Sequence, residues 1–138
     1  MYVLDTNLVS EIRKVPAKKN PAVQRWLEQQ YSDQLFITSI TVYELEVGVQ
    51  RLARKDSAQA ALIGDWLHGT LLPGFEGRVL DLDLESSLIA ATYQVPDPRP
   101  SADCFIAAIT QRHHMKLVTR NTKDFLAMNI PLINPWDE

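Results

Sequence analysis

The chain has 138 residues, of which 46% are hydrophobic and 22% charged, and its formal net charge is −3. These values are those of an ordinary globular protein, and we expect residues 1–138 to form one domain. No apolar run is long enough to span a membrane and none has the pattern of a signal peptide, so we expect a cytoplasmic protein without membrane contact.

The first strand is predicted at residues 2–4, which are β-formers, and it ends at Asp5. In an open parallel α/β sheet, ligands bind beyond the carboxyl ends of the strands, so Asp5 is a candidate metal ligand. Alternatively, Asp5 or Asn7 only caps the following helix, because both residue types are preferred at N-caps. That helix is predicted over residues 7–13, and a basic loop follows at 14–19.

A second helix is predicted over residues 21–30, because Asn20 and Pro21 form the pattern of an N-cap and a first helical residue. The β-forming run 34–38 predicts the second strand, and Ser39 is the expected N-cap of a third helix. Apolar residues recur along that helix at helical spacing and predict its core stripe: Val42, Leu45, Val49 and Leu52.

Glu44 lies away from this apolar stripe, and Gly48 lies one turn later on the same side of the helix. A glycine beside an inward-pointing carboxylate leaves space for a substrate backbone, so Glu44 is a better candidate for chemistry than Glu46 on the opposite flank. Alternatively, Glu44 is a solvated surface residue and the glycine is merely tolerated, at a cost of about 1 kcal/mol relative to alanine.

The middle of the chain predicts a helix over residues 56–72, a turn rich in proline and glycine, and a third strand at 79–80. Asp83 then caps a helix that extends to about residue 93. The segment 95–100 contains three prolines, cannot be helical and restricts the position of Arg99.

Ser101 is the expected N-cap of the next helix, predicted over residues 102–114, which buries Phe105, Ile106 and Ile109. Asp103 lies near the edge of this apolar stripe, beside the small residues Ala107 and Thr110, and is a candidate ligand. The alternative is that Asp103 only interacts with the helix dipole in the first turn, which is worth about 0.3–1 kcal/mol.

A fourth strand is predicted at 116–119, and polar residues continue from it to Asp124. Residues 132–133 are the last candidate strand, at an edge of the sheet. Because strands alternate with helices along the chain, the fold class is α/β with a mostly parallel sheet and right-handed crossovers.

Four acids can face one end of this sheet: Asp5, Glu44, Asp103 and Asp124. Unpaired carboxylates in one pocket repel each other and raise one another's pKa values, and a divalent cation relieves this repulsion. Oxygen ligands suit Mg²⁺ or Mn²⁺, whereas the lack of a cysteine–histidine cluster argues against structural zinc. The one cysteine, Cys104, is expected to be a small buried apolar residue.

Such a site supports the attack of metal-activated water on a phosphodiester, although a phosphatase would use similar acids. Arg99, Arg120 and Lys123 are candidates for holding the flanking phosphates. Thr119 or Asn121 is a candidate for orienting a ligand or a water. The acidic net charge argues mildly against nucleic-acid binding. Whether the chain can bind nucleic acid therefore depends on where these cations lie relative to the acids.

Four segments resemble the motifs of PIN-domain nucleases, particularly the VapC/FitB-like toxins of bacterial toxin–antitoxin pairs: Leu4-Asp-Thr-Asn7, Ser39-Ile-Thr-Val-Tyr-Glu-Leu-Glu-Val-Gly48, Asp103-Cys-Phe-Ile-Ala-Ala108 and Thr119-Arg-Asn-Thr-Lys-Asp-Phe125. The closing Asn134-Pro-Trp136 resembles the same subgroup. Each motif is weak by itself, but four in this order within 138 residues form a strong signal over essentially the entire chain.

The resemblance implies a single PIN domain with three α/β/α layers around a sheet of four or five strands. It implies that Asp5, Glu44, Asp103 and Asp124 bind Mg²⁺ or Mn²⁺ and cut RNA, with tRNA and rRNA both open as targets. It further implies a homodimer and a small antitoxin that wraps the toxin and blocks the pocket. Two rival interpretations stay open: a DNA or structure-specific nuclease of the same fold, and a non-catalytic RNA-binding module whose acids are helix caps.

Overall fold

The computed structural model describes residues 1–137 and contains a parallel sheet of five short strands. The strands are β1 (Tyr2–Leu4), β2 (Leu35–Thr38), β3 (Val79–Leu80), β4 (Lys116–Val118) and β5 (Leu132–Ile133). Their order across the sheet is β3-β2-β1-β4-β5, and every neighbouring pair is parallel. The carboxyl end of β1 therefore lies between the carboxyl ends of β2 and β4.

Seven helical segments connect and cover these strands: α1 (Thr6–Arg13), α2 (Pro21–Glu28), α3 (Ser39–Ala53), α4 (Ser57–Trp66), α5 (Leu72–Gly74), α6 (Leu84–Thr92) and α7 (Ser101–Arg112). Short 3₁₀ turns add to them, among them Pro16–Lys18, Thr122–Asp124 and Pro135–Asp137. Within residues 1–137, none of the helices has both the length and the apolar character that a bilayer span requires.

Two hydrophobic clusters cover the two faces of the sheet, because successive residues of a strand point to opposite faces. Val3 belongs to the cluster that α6, α7 and Phe125 form on one face. Leu4, the next residue, belongs to the cluster that α1 and α2 form on the other face with Leu8 and Trp26. The predicted three-layer α/β/α architecture with a parallel sheet is thereby confirmed.

Two of the predicted N-caps are wrong. The cap of α3 is Thr38, whose side chain accepts a hydrogen bond from the Thr41 N–H, and Ser39 is already helical. Thr38 is the last residue of β2 and keeps the extended backbone (φ −108°, ψ 157°) that an N-cap requires. Helix α7 likewise begins at Ser101, with Pro100 in the capping position and no hydrogen bond from a capping side chain.

Other predicted boundaries are correct or need adjustment. Asn20 caps α2 and Asp83 caps α6, as expected. The helix predicted over residues 56–72 is regular only as far as Trp66, and a π-type turn at Leu67–Leu71 then separates α4 from α5. Both Leu67 and Leu71 are buried, so the wider turn places two leucines in the core.

The apolar stripes of α3 and α7 are less deeply buried than predicted. Ile106 and Ile109 lie in the core, but Phe105 is only partly buried and packs against its margin. On α3 the only fully buried residue is Thr41, and the four expected core residues are half-buried. Cys104 is a free, buried cysteine, as we predicted for a small apolar residue.

We predict that Phe125→Ala lowers the free energy of unfolding by about 3–5 kcal/mol, because the ring is 1% exposed and its removal leaves a cavity beneath the turn that carries Asp124. The neighbouring Leu126 is 68% exposed, so Leu126→Ala is the matched control and should change the free energy by less than about 0.5 kcal/mol. Equilibrium unfolding in urea measures both values. Equally small effects would show that Phe125 does not anchor this turn.

Candidate metal centre

The carboxyl ends of β1 and β4 lie side by side because the strands pair in register, with Leu4 opposite Val118. Asp5 follows Leu4, and its N–H donates to the Val118 carbonyl at 2.9 Å. Thr119 follows Val118, and its hydroxyl donates to Asp5 Oδ2 at 2.7 Å. Because Asp5 is 6% exposed and Thr119 0%, the strand pairing holds a buried carboxylate against a buried donor.

The Asp5 carboxylate also serves the helix that follows it. Its Oδ1 accepts a hydrogen bond from the Thr6 N–H at 2.8 Å, so Asp5 is the N-cap of α1 and the capping interpretation is correct in part. Its Oδ2 accepts a second bond from Asn7 Nδ2 at 3.3 Å. Burial raises the pKa of Asp5 and outweighs the bonds from Thr119 and Thr6, which lower it.

Glu44 reaches the same edge of the sheet from α3. The Thr6 hydroxyl donates to Glu44 Oε1 at 2.6 Å, and it lies 3.0 Å from the hydroxyl of Thr41, one turn earlier on α3. These contacts join the first residue of α1 to the second acid. Gly48 is exposed, and a Cβ added there would meet nothing within 4 Å, so packing inside the described chain does not require glycine.

Asp103 and Asp124 complete the acid cluster, as we call Asp5, Glu44, Asp103 and Asp124. Asp103 is half-buried in the first turn of α7, and Asp124 is exposed at the end of a 3₁₀ turn. Burial and then the charges of the other three acids raise the pKa of Asp103 from 3.8 to about 6. The negative charges of the other three residues therefore act on Asp103.

The acid cluster is not a closed coordination shell. Within residues 1–137, no three aspartate, glutamate, histidine or cysteine side chains lie close enough together to hold an ion. The donors of the cluster are nevertheless oxygen atoms only, which suits a hard divalent cation such as Mg²⁺ or Mn²⁺. A positive charge here would also offset the repulsion that raises the pKa of Asp103. The chemistry of these donors suits the predicted class of metal, whereas their positions in residues 1–137 do not form a coordination site.

Two cations flank the acids. Arg99 and Lys123 line a cleft of about 320 Å³ together with Asp103 and Asp124. The proline-rich loop holds Arg99 in place, because its Nε donates to the Tyr93 carbonyl at 3.0 Å and its N–H to the Gln94 side chain at 2.8 Å.

The other predicted substrate residues differ in their exposure. Arg120 is exposed, and its guanidinium lies 5.5 Å from the centre of the Trp136 ring. Asn121 is exposed, and its N–H donates to the Thr119 hydroxyl at 3.1 Å. Thr119 is fully buried, so it orients the Asp5 carboxylate instead of contacting a substrate directly.

Sequence reasoning missed the side chains that orient the acids. Thr6 and Thr41 link α1 to Glu44, although they are 35 positions apart in sequence. Asn7, considered only as a cap, bridges Asp5 Oδ2 and the Thr119 hydroxyl at 3.3 Å each. One local feature of the sequence could have identified Thr6, Asn7 and Thr119: polar residues directly follow β1 and β4, where a parallel sheet binds ligands.

A groove of about 870 Å³ lies elsewhere, along α3, and Glu44 is not among the residues that line it. It is lined by half-exposed aliphatic residues such as Val42 and Val47, and by Tyr43, which is 65% exposed. A second cavity shares Tyr43 and extends to Ser101 and Phe105 on α7, next to Asp103.

Comparison with known proteins identifies the family and the fold. Residues 2–130 match the PIN domain family. The chain is 35% identical to VapC ribonuclease Y4jK of Sinorhizobium fredii over 99% of both sequences, and 32% identical to toxin FitB of Neisseria gonorrhoeae over the full length of both. The structure of FitAB bound to IR36 DNA is similar with a TM-score of 0.85 at 30% identity, and the match covers 99% of this chain and 96% of that one.

We predict that the metal-free protein gains stability when the pH falls from about 7.5 to about 5. The pKa of Asp103 is about 6 in the folded chain and near 3.8 in the unfolded chain, so the folded state binds the proton more tightly and is favoured between these values. Melting temperatures measured in a chelating buffer test this. Asp103→Asn should melt higher than the parent at pH 7.5 and should gain less on acidification. A parent melting temperature that only declines below neutrality would contradict a crowded cluster.

Proposed function

This chain belongs to the PIN domain family, in its VapC/FitB-like group, and from this premise we propose that it is a Mg²⁺- or Mn²⁺-dependent endoribonuclease toxin of a type II toxin–antitoxin pair. The observation that carries the proposal is one of position: Asp103 and Asp124 line one cleft with two cationic side chains, and Asp5 lies at the carboxyl edge of the sheet, where β1 pairs with β4. Burial, and then the charges of the other three acids, raise the pKa of Asp103, which agrees with this placement. The names of two relatives, a VapC ribonuclease and the toxin FitB, support the class of activity.

In this proposal Asp5, Glu44, Asp103 and Asp124 hold the cation. A divalent cation held by these residues would supply activation of water for attack on the phosphodiester and stabilisation of the negative charge that develops on the phosphate. The chain itself orients the ligands in advance. Thr119 fixes one oxygen of Asp5 at 2.7 Å, and Thr6 fixes one oxygen of Glu44 at 2.6 Å. Hydrogen bonds of this kind set the direction of a metal ligand before substrate binds.

In this proposal the cationic side chains beside the acid cluster position the substrate. Arg99 and Lys123 hold phosphates of the RNA in the cleft, because guanidinium and ammonium groups bind phosphate oxygens strongly. The bonds that tie Arg99 to Tyr93 and Gln94 reduce the entropy lost on binding. Arg120 and Asn121, both exposed on the turn after β4, contact neighbouring nucleotides.

The proposed partners are a second copy of the chain and a small antitoxin that blocks the acid cluster. A relative was solved as FitAB on a DNA fragment, which supports a partner protein. The groove beside Tyr43 and the cavity that shares Tyr43 with it form an apolar path that reaches Ala102, the residue before Asp103 in the sequence. An amphipathic peptide of the antitoxin that lies along this path can reach the acids.

We predict that Asp5→Asn and Asp103→Asn each reduce the cleavage of RNA by at least about 100-fold in Mg²⁺ or Mn²⁺, because each removes a ligand charge. The matched control is Asp33→Asn, an exposed acid before β2 at the opposite end of the sheet, which should keep parent activity. Gel-based cleavage assays with RNA and single-stranded DNA offered side by side measure the rates. Undiminished cleavage by Asp5→Asn would refute the metal mechanism, and faster cleavage of DNA would change the substrate class.

We also predict that Mn²⁺ raises the melting temperature of the parent, since a ligand that binds only the folded state stabilises it by about 2.7 kcal/mol at 100 times its dissociation constant. The double variant Asp103→Asn with Asp124→Asn should lose this rise, because half of the acid cluster is neutralised. Differential scanning fluorimetry across a Mn²⁺ series gives the comparison. A parent that binds RNA but shows no response to Mn²⁺ would favour the non-catalytic RNA-binding module.

A further inference from the structure

The loop between α1 and α2 carries a concentrated positive charge. Four of the residues from 13 to 19 are basic and none is acidic: Arg13, Lys14, Lys18 and Lys19. We call these four residues the basic strip. The first three are exposed and Lys19 is half-buried. Within residues 1–137, Arg13, Lys18 and Lys19 form no ion pair, so their charges are available to a ligand.

One buried carboxylate holds both ends of this loop. Glu11 is 5% exposed; its Oε2 pairs with Lys14 Nζ at 2.6 Å, and its Oε1 accepts from the Asn20 N–H at 2.9 Å. Burial works to raise the pKa of Glu11, but these two bonds and the nearby positive charges outweigh it, so the pKa lies below its usual range. Glu11 therefore stays ionised at neutral pH and closes the loop into an ordered shape.

Lys14, one member of the basic strip, lies in line with the residues that lead back along α1 to the acid cluster. Asn7, Glu11 and Lys14 are spaced by four and three residues, which places them in line on one face of the helix. Arg120 lies over this line, because its N–H donates to Asn7 Oδ1 at 3.3 Å and its charge lowers the pKa of Glu11. Helix α1 begins next to Asp5 and is about 12 Å long, from a rise of 1.5 Å per residue.

The charge distribution of the chain explains why RNA binding would require such a strip. The chain carries a net charge of −3, and its acid cluster repels a phosphate backbone. Exposed lysines and arginines that lie away from those acids supply the attraction for nucleic acid, largely through the release of counterions. The segment also offers little for a protein partner, since Val15 is its only large apolar side chain.

We propose that the basic strip binds the phosphate backbone of single-stranded RNA on its way to the acid cluster, several nucleotides from the bond that is cut. This inference rests on the proposed function, because it takes RNA as the substrate. The strip supplies affinity for long substrates, and it takes no part in the chemical step. A substrate too short to reach from Asp5 along α1 gains nothing from it.

The test compares two double variants that lower the net charge equally. Lys18→Gln with Lys19→Gln removes two cations of the basic strip, and spares Lys14, whose loss would leave Glu11 unpaired. Lys55→Gln with Lys116→Gln removes two exposed lysines, one beyond the end of α3 and one at the start of β4, at the opposite end of the sheet from Asp5. Melting temperatures establish that both variants are folded.

Binding of a fluorescent dodecanucleotide RNA, measured by anisotropy in chelating buffer over a salt series, gives the first result. The strip variant should bind roughly tenfold more weakly near 0.1 M salt, and its plot of log affinity against log salt should be shallower by about 1.4, the value for two lost contacts on a single strand. The control variant should match the parent. A strip variant with the parent's affinity and slope overturns the proposal.

Cleavage in Mn²⁺ gives the second result. For a long RNA the strip variant should raise KM severalfold with kcat unchanged, and for a trinucleotide it should equal the parent. If the parent cleaves RNA and the strip variant is no different on either substrate, this inference fails and the proposed function stands. If the parent cleaves no RNA, the proposed function fails, and the salt slope still decides whether the strip binds RNA. A variant that loses affinity only for a protein antitoxin would overturn the proposal.

Discussion

The parallel pairing of β1 with β4 is the constraint on which the candidate site depends. It places Leu4 opposite Val118, so the next residues, Asp5 and Thr119, emerge side by side at the carboxyl edge of the sheet. The same edge receives Thr38 at the end of β2, where α3 begins and carries Glu44 inward. Without this register the acids would belong to separate surfaces, because none of them is close to another in the sequence.

The acid cluster illustrates how a fold tolerates charges that repel each other. Burial and neighbouring carboxylates raise the pKa of Asp103 to about 6, a cost that the two hydrophobic clusters on either side of the sheet can offset. The hydroxyl groups of Thr6 and Thr119 donate hydrogen bonds to two other acids of the cluster and thereby offset part of this cost. The opposite charge is gathered elsewhere, on the loop that Glu11 holds closed. Negative and positive charges are thereby separated on the surface of an acidic protein, which is the arrangement that the proposed function requires.

Local patterns predicted most of the fold. The caps Asn20 and Asp83, the five strands and their parallel arrangement all follow from signals within a few residues, namely capping preferences, β-formers and the alternation of strands with helices. The errors were also local. Thr38 replaced Ser39 as a cap because a strand end already had the required backbone, and the wide turn at Leu67–Leu71 interrupted a helix that periodicity extended through it.

The sequence by itself determined the fold class and the family, because these depend on residue types in order along the chain, and it supplied the four acids as candidates. Only the tertiary structure decided what each acid contacts. Packing brings Thr6 to Glu44 and Thr119 to Asp5, and it buries Glu11. Such contacts leave no pattern in either segment alone. Their energy depends on the distance between two side chains, and the folded chain sets that distance, whereas the local sequence does not.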